Sequence, residues 1–278
     1  MRMKRLLRKG IVFLAMAMLC LSIKAFGKEQ TKEFYPMHNY NVEGTDYDFN
    51  GEELKYSLHW WIFHIADAKS WITKENKNGI LYYKFQSKVK TAGVVAFFKG
   101  VEDEGYSLWD TRFLSPRKTF LSQREKRYIR DKLFSYDLEN MTLTVVSKKP
   151  GEKEKIKTYE IPAIPVEDIM TGIYFFRKYG IFEIGAETVF PVFTGSRFIN
   201  TKVKVLKKEK VKVPAGTFET FKCALSGEVT PKGVFKMDKD VYMWLTTDER
   251  HLPVKIEGEV LIGSVVAELI RYKKGVKK

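Results

Sequence analysis

The sequence is poor in cysteine and histidine, and it lacks the short motifs of the common enzyme classes. Its 278 residues include two cysteines and four histidines. Two cysteines exclude a disulfide scaffold and a cysteine-based zinc site. The patterns G-x-S-x-G, H-E-x-x-H, G-x-x-x-x-G-K-[ST] and G-x-G-x-x-G do not occur. We therefore expect no catalytic residues, no metal site, no cofactor and no enzymatic activity.

The composition is that of a folded, basic protein. Hydrophobic residues make up 44% and aromatic residues 14% of the chain, so it resembles neither a disordered nor a collagen-like sequence. Lysine and arginine outnumber aspartate and glutamate by 49 to 34. Such an excess of positive charge favours partners that carry negative charge.

The N-terminus has the pattern of an export signal. Basic residues are concentrated in 2–9, and an apolar run follows over 11–21, too short to span a bilayer comfortably. Ala25-Phe26-Gly27 supplies small residues for a cleavage site before Lys28, with cleavage after Ala25 as a weaker alternative. We therefore expect a signal peptide over 1–27 and a secreted protein. Cys20 follows Leu19 rather than a small residue, which disfavours a lipoprotein signal.

The remaining sequence predicts a mainly β protein. From Leu54 onward apolar and polar residues alternate with a period of two, which is typical of half-buried antiparallel strands. The same alternation places Cys223 on a buried face. One helix of about 14 residues is predicted over 166–179, because acids begin it, Arg177 and Lys178 end it and Gly180 follows. We expect a loose lead-in over 28–48 and a single β-rich domain over 49–275, a curved antiparallel sheet with one packed helix.

Aromatic and basic side chains are the candidate binding residues. A curved sheet uses bulky side chains to fill its core, but an incompletely closed barrel can also leave an apolar cavity, and both alternatives stand. The basic stretch 117–130 suits a phosphate-bearing partner or is an ordinary solvated strand. Export argues against nucleic acid. The candidate ligand-binding residues are Trp60, Tyr83, Phe85, Trp244, Arg117, Arg124 and Arg127.

Four segments in order resemble the bacterial envelope family known as domain of unknown function 3108. They are 51–60 (GEELKYSLHW), 174–177 (YFFR), 213–218 (VPAGTF) and 244–254 (WLTTDERHLPV). The resemblance covers roughly 49–272 and implies a periplasmic protein of a Gram-negative-type envelope, with a spiral-like or incompletely closed β-barrel. It carries no catalytic residues. The bulky segment 61–66 (WIFHIA) stands where the family usually has glycine, which affects any shared pocket.

Two functional hypotheses follow from these features. The first is a non-enzymatic periplasmic envelope protein that binds a lipid or other amphiphile in an aromatic-lined β-barrel. The second is an envelope scaffold that binds a protein or an anionic cell-wall polymer without a small ligand. The positive charge also predicts peripheral contact with anionic membranes. No oligomeric state is predicted.

Overall fold

The computed structural model describes residues 40–93, 96, 100–125, 128–228, 241–259 and 263–275. The elements whose bounds lie within these residues are the helix α1 (Gly172–Tyr179) and fifteen strands. The strands are β1 (Glu53–Trp60), β2 (Phe63–Lys77), β3 (Ile80–Thr91), β4 (Glu102–Asp110), β5 (Ser115–Glu125), β6 (Tyr128–Asp137), β7 (Thr142–Lys148), β8 (Lys155–Glu160), β9 (Glu167–Asp168), β10 (Glu187–Phe193), β11 (Phe198–Val213), β12 (Gly216–Glu228), β13 (Val241–Thr246), β14 (Pro253–Glu259) and β15 (Ser264–Lys273).

All fifteen strands belong to one sheet, in the order β8-β7-β6-β5-β4-β3-β2-β1-β15-β14-β13-β12-β11-β10-β9. The strands β1 to β8 form one meander and β10 to β15 another, and β1 joins them by pairing antiparallel with β15. Only the two-residue β9 pairs parallel, with β10. Among the described residues β8 and β9 remain edges, so the sheet does not close. The prediction of a mainly β, incompletely closed barrel with one helix is confirmed.

The alternation read from the sequence defines an inner and an outer face. In β1, Leu54, Tyr56 and Leu58 are buried. Their neighbours in the chain are less buried and face outward, as period two requires. We call the end of the sheet at which β1 ends and β2 begins the upper end, and the opposite end the lower end.

The helix lies inside the curved sheet and reaches its lower end. Arg177 of α1 binds Glu52, which directly precedes β1. The carbonyl oxygen of Tyr179 accepts a hydrogen bond from the Asn41 backbone at 2.6 Å. Of the expected lead-in the structure describes 40–48, and there Tyr47 is buried. The helix and this N-terminal segment thus pack together inside the sheet at its lower end.

The helix is shorter than predicted: it ends near the expected residue but begins at Gly172 instead of 166. Glu167 and Asp168 pair as β9 with Val192 and Phe193. The Asp168 carboxylate also accepts hydrogen bonds from the backbone of Met170 and Thr171. Side-chain hydrogen bonds of this kind hold the backbone in a turn and compete with helix formation.

Two further expectations are corrected. The basic stretch 117–130 is not one strand, because β5 ends at Glu125 and β6 begins at Tyr128. The five-residue spacing of His59 and His64 predicts opposite faces of a single strand, but the two histidines lie on different strands. The turn after Trp60 pairs them on β1 and β2, with ring centroids 5.4 Å apart. The predicted signal peptide and Arg127 lie outside the described residues.

Candidate functional site

The interior contains a cavity of about 120 Å³ between α1 and the inner face of the sheet. It is the candidate site because its lining is mostly apolar and comes from both meanders. Representative lining residues are Leu54, Tyr56, Phe85, Ile173, Val203, Met243 and Ala267. A cavity with such walls excludes polar ligands and suits an apolar group.

The cavity extends toward the upper end of the sheet. Val241 of β13 lines the cavity. It belongs to a row of paired residues that crosses the sheet through Gly258 and Val265 to Trp60 at the end of β1. The wall of the cavity therefore reaches the row of residues at which the β1–β2 hairpin turns. Toward the lower end the wall includes Leu54 and Tyr56 of β1, and Ile173 and Tyr174 of α1 face the same space.

One wall of the cavity is acidic but fully hydrogen-bonded. Asp168 lines the cavity and is almost completely buried. One carboxylate oxygen accepts the Met170 and Thr171 backbone N–H groups at 2.7 and 2.8 Å. The other accepts the hydroxyls of Ser107, at 2.7 Å, and Thr119. The carboxylate thus fastens the start of α1 to β4 and β5 and has a structural role.

The adjacent Glu167 is fully buried and has fewer hydrogen-bond partners than Asp168. One of its carboxyl oxygens accepts the Trp109 indole N–H at 3.2 Å, while the other has no hydrogen-bond partner. Burial raises the pKa of Glu167 well above its usual range, and the nearby charge of Asp168 raises it further. Both effects favour the protonated, neutral carboxyl group.

The structure places the predicted aromatic residues in different surroundings. Phe85 lines the cavity. Tyr83 stacks on Phe85 but donates its hydroxyl to Asp48 at 2.8 Å, nearer the lower end. Trp60 is partly buried at the upper end of β1. Trp244 lies on the outer face, where Lys222 and Lys255 contact its ring.

Arg117 and Arg124 are engaged in ion pairs away from the cavity. Arg117 binds Asp110 at 3.0 Å and Glu139 at 2.5 Å. Arg124 binds Asp131 at 2.6 Å. Of the predicted residues that the structure describes, only Phe85 belongs to the cavity, and the structure does not bring these residues into one site.

Sequence reasoning missed most of the cavity wall. The lining residues come from strands far apart in the chain, and no local pattern marks them as neighbours. The one available signal is small residues at inner positions, such as Ala68 and Ala267, because they leave space that a larger side chain would fill.

A serine and a histidine meet on the outer face of β1. The Ser57 hydroxyl and His59 Nε2 lie 2.7 Å apart, the distance at which a base activates a nucleophile. Asp67 binds His64 at 2.9 Å rather than His59. The pair also lies on the opposite face of the sheet from the cavity. Within the described residues no group of three or more potential ligands could hold a metal ion.

No helix in the described part of the chain has the length and apolar character needed to cross a bilayer.

Comparison with solved structures supports the fold. A β-barrel-like protein of domain of unknown function DUF1849 from Brucella abortus superposes with a TM-score of 0.50 at 10% identity, covering 82% of this chain and 99% of that one. A candidate exported protein with a YmcC-like fold from Bacteroides fragilis has a TM-score of 0.38 at 13% identity, covering 84% and 100%. A candidate lipoprotein from Parabacteroides distasonis has a TM-score of 0.32 at 9% identity, covering 83% and 99%.

The sequence itself matches one family model. No curated protein gives a significant match to the chain. The model of DUF3108, described as a protein of unknown function, matches residues 55–270, from the first strand to the last. That range contains the strands and the helix that surround the cavity. The chain therefore belongs to the DUF3108 family.

Proposed function

We propose that the protein is a non-enzymatic, periplasmic protein of a Gram-negative-type cell envelope that holds the apolar part of a lipid or other amphiphile. The cavity between α1 and the sheet is the observation that carries this proposal. It is enclosed by inner-face side chains of both meanders, so a ligand there contacts most of the fold.

The size of the cavity suits the end of an acyl chain. Its volume of about 120 Å³ is close to that of apolar protein cavities that bind benzene-sized molecules, which is about 150 Å³. A bulky polar ligand does not fit this volume. The cavity accommodates a short apolar segment, and the rest of an amphiphile extends beyond it.

The polarity of the walls favours the same class of ligand. The Asp168 carboxylate is occupied by protein donors. Ser70, another lining residue, is 3.2 Å from the Tyr174 hydroxyl. Binding by such walls depends on removing apolar surface from water, which discriminates weakly between apolar chains.

The periplasmic location is supported by the sequence of residues 1–27. A basic segment, an apolar run and a small-residue cleavage site are the parts of a secretory signal. Expression with this segment intact, followed by periplasmic release, is expected to give a protein that begins at Lys28. A product that retains residues 1–27 and stays in the cytoplasm would contradict export.

Native mass spectrometry of the periplasmic protein tests ligand binding. A stoichiometric phospholipid or other amphiphile is expected, identified by organic extraction. Ala267→Leu adds apolar volume inside the cavity and is expected to reduce the bound fraction by about tenfold or more. Ala224→Leu is the matched control, because Ala224 lies between the inward-facing Cys223 and Leu225 and therefore faces outward.

Thermal unfolding of each variant shows that it is folded, and removal of the ligand is expected to lower the melting temperature. A clean ligand-free mass that added lipid does not change would contradict the proposal. In that case a scaffold that binds a protein or a cell-wall polymer becomes the better hypothesis. Equal loading of the Ala267→Leu and control variants would place the ligand outside this cavity.

A further inference from the structure

The turn between β1 and β2 carries a concentrated apolar patch. Trp61, Ile62 and Phe63 are consecutive in the chain and expose 68%, 87% and 55% of their surface. The other large apolar residues that are exposed in the described part of the chain are separated from one another: Val42, Leu81, Ile129, Ile156, Ile184 and Ile270. Scattered exposure of this kind is ordinary, whereas a contiguous patch indicates an interaction site.

The backbone of this turn is strained at Trp61. β1 ends at Trp60 and β2 begins at Phe63, so the two strands are joined by two residues. Trp61 adopts a φ of +56°, a conformation that is uncommon for a bulky residue and that hairpins usually assign to glycine or asparagine. Such strain persists only where the surrounding structure holds it in place.

Neighbouring groups fix the orientation of Trp61. Its ring stacks on that of Trp60, with centroids 6.1 Å apart and an interplanar angle of 27°. On its other side the indole packs against Gly263, which directly precedes β15. A Cβ atom added at Gly263 would overlap the indole nitrogen. Contacts with Trp60 of β1 and with Gly263, the residue before β15, therefore hold the tryptophan in a defined position.

We propose that Trp61, Ile62 and Phe63 form a docking tip that inserts into the interfacial region of an anionic phospholipid bilayer. Tryptophan favours the headgroup level of a membrane, and isoleucine and phenylalanine favour the acyl region beneath it. The tip projects from the end of the sheet, as an inserting element must. In the chain from Lys28 onward, basic residues outnumber acidic residues by 43 to 34, and this excess attracts the protein to negatively charged lipid.

The area of the patch favours a membrane over a protein partner. Three side chains of this size and exposure present roughly 400 Å² of surface. A stable protein interface buries about 800 Å² on each partner, so the tip alone is too small for one. Insertion into a bilayer has no such minimum, because each apolar side chain that leaves water contributes independently.

The wall of the cavity extends between the tip and the lower end of the sheet. In β1 it includes Leu54 and Tyr56, near the lower end. Val241, which lines the cavity, belongs to the row of paired residues that ends at Trp60. Docking itself does not require the cavity to hold a ligand, so this inference and the proposed function can fail separately.

Vesicle flotation with the chain from Lys28 tests the docking tip. Wild-type protein is expected to float with vesicles of phosphatidylethanolamine and phosphatidylglycerol and to float less with pure phosphatidylcholine. The variant Trp61→Asn/Ile62→Ser/Phe63→Thr is expected to reduce the floated fraction by about tenfold or more. Asparagine is chosen at 61 because it tolerates positive φ.

The matched control is Val42→Ser/Ile156→Ser/Ile184→Ser, which removes three apolar side chains exposed to 73%, 65% and 64%. It is expected to float as the wild type does. Melting temperatures show that both variants are folded. The proposal is overturned if the wild type does not float with anionic vesicles, or if the tip variant floats equally well. It is also overturned if the tip variant instead converts a dimer into a monomer, which would assign the tip to a second copy of the chain.

Discussion

Arg177 and Glu52 form a two-point ion pair in the interior, with both N–O distances at 2.7 Å. The two side chains are 0% and 1% exposed. Arg177 also donates to the Arg250 carbonyl oxygen, and its guanidinium lies 4.7 Å from the Phe49 ring centroid. Burial acts to lower the pKa of Arg177, but the facing Glu52 carboxylate outweighs it and raises the pKa above its usual value.

Removing one partner of this ion pair is expected to destabilise the fold strongly. Glu52→Gln leaves the Arg177 charge buried without its counter-ion, and unpaired buried charges of this kind cost about 3–5 kcal/mol. The double variant Glu52→Leu/Arg177→Met removes both charges and is expected to recover most of that loss. Urea unfolding measures the free energies of all three proteins.

The exposed pair of Lys210 and Glu219 provides the control for this experiment. Its side chains are 66% and 61% exposed at a separation of 3.1 Å. Lys210→Met is expected to change the unfolding free energy by less than about 1 kcal/mol. Similar losses for Lys210→Met and Glu52→Gln would show that the buried pair has no special role.

His251 is expected to make stability fall in mild acid. Burial lowers the pKa of His251 to about 4. Its Nδ1 lies 2.8 Å from the Arg177 carbonyl oxygen, which can only accept, so Nδ1 carries the hydrogen of the neutral ring. Below pH ~6.5 the His251 ring becomes protonated in the unfolded chain, while in the folded chain it stays neutral until the pH approaches its lowered pKa. The contribution of His251 to the free energy of unfolding is therefore fully present above pH ~6.5 and is lost as the pH falls to about 4.

The variant His251→Asn isolates this effect, because asparagine keeps a donor near the Arg177 carbonyl and tolerates the positive φ of 42°. Its unfolding free energy is expected to fall less than that of the wild type between pH 6.5 and 4, by up to about 3 kcal/mol. Glu167 acts in the opposite direction, since its pKa is raised. That contribution cancels in the difference between the two proteins. If the unfolding free energies of the two proteins changed with pH in the same way, His251 would not be the source of the acid sensitivity.

Asp168 is expected to stabilise the start of α1. Asp168→Ala removes the acceptors for the Met170 and Thr171 backbone and the Ser107 hydroxyl, with an expected loss of about 2–4 kcal/mol. Asp168→Asn keeps one acceptor oxygen and is expected to cost about 1 kcal/mol. Urea unfolding provides the measurement, and Asp67→Ala, at a side chain 57% exposed, serves as the control. Equal losses for the two alanine variants would refute this role.

The Cys223 thiol is expected to be unreactive in the folded protein. The residue is 0% exposed, and burial raises its pKa to about 12. Because the thiolate is the reacting form, labelling by a disulfide reagent at pH 8 should be at least about 100-fold slower than for a free thiol. A chain that begins at Lys28 lacks Cys20 and reports on this residue alone. Urea should restore the normal rate; rapid labelling without urea would be inconsistent with the buried position.

Ser57 is expected to be inert toward a fluorophosphonate probe. It lies near His59, but Asp67 binds His64 instead of orienting the His59 ring. An activated serine needs an oriented base and donors for the developing oxyanion. Gel fluorescence and peptide mapping detect the labelled residue. Labelling of Ser57 that Ser57→Ala abolishes would support a hydrolase and contradict the non-enzymatic proposal.

Some predictions from the sequence failed for a clear physical reason. The helix prediction over 166–179 used charges and apolar spacing, but the Asp168 carboxylate holds the preceding backbone in a turn. Its hydroxyl partners Ser107 and Thr119 are 61 and 49 residues away in the chain. Local spacing contains no information about partners at such distances.

The sequence by itself determined the strand pattern, the inward and outward faces and the end of the helix. Leu54, Tyr56 and Leu58 are buried as predicted, because alternation along a strand is a local property. Only the tertiary structure decided the cavity, the Asp168 cluster and the Arg177–Glu52 pair, whose partners are 125 residues apart. These features arise when the sheet curves around the helix and brings distant side chains together, and that curvature depends on the packing of the whole chain.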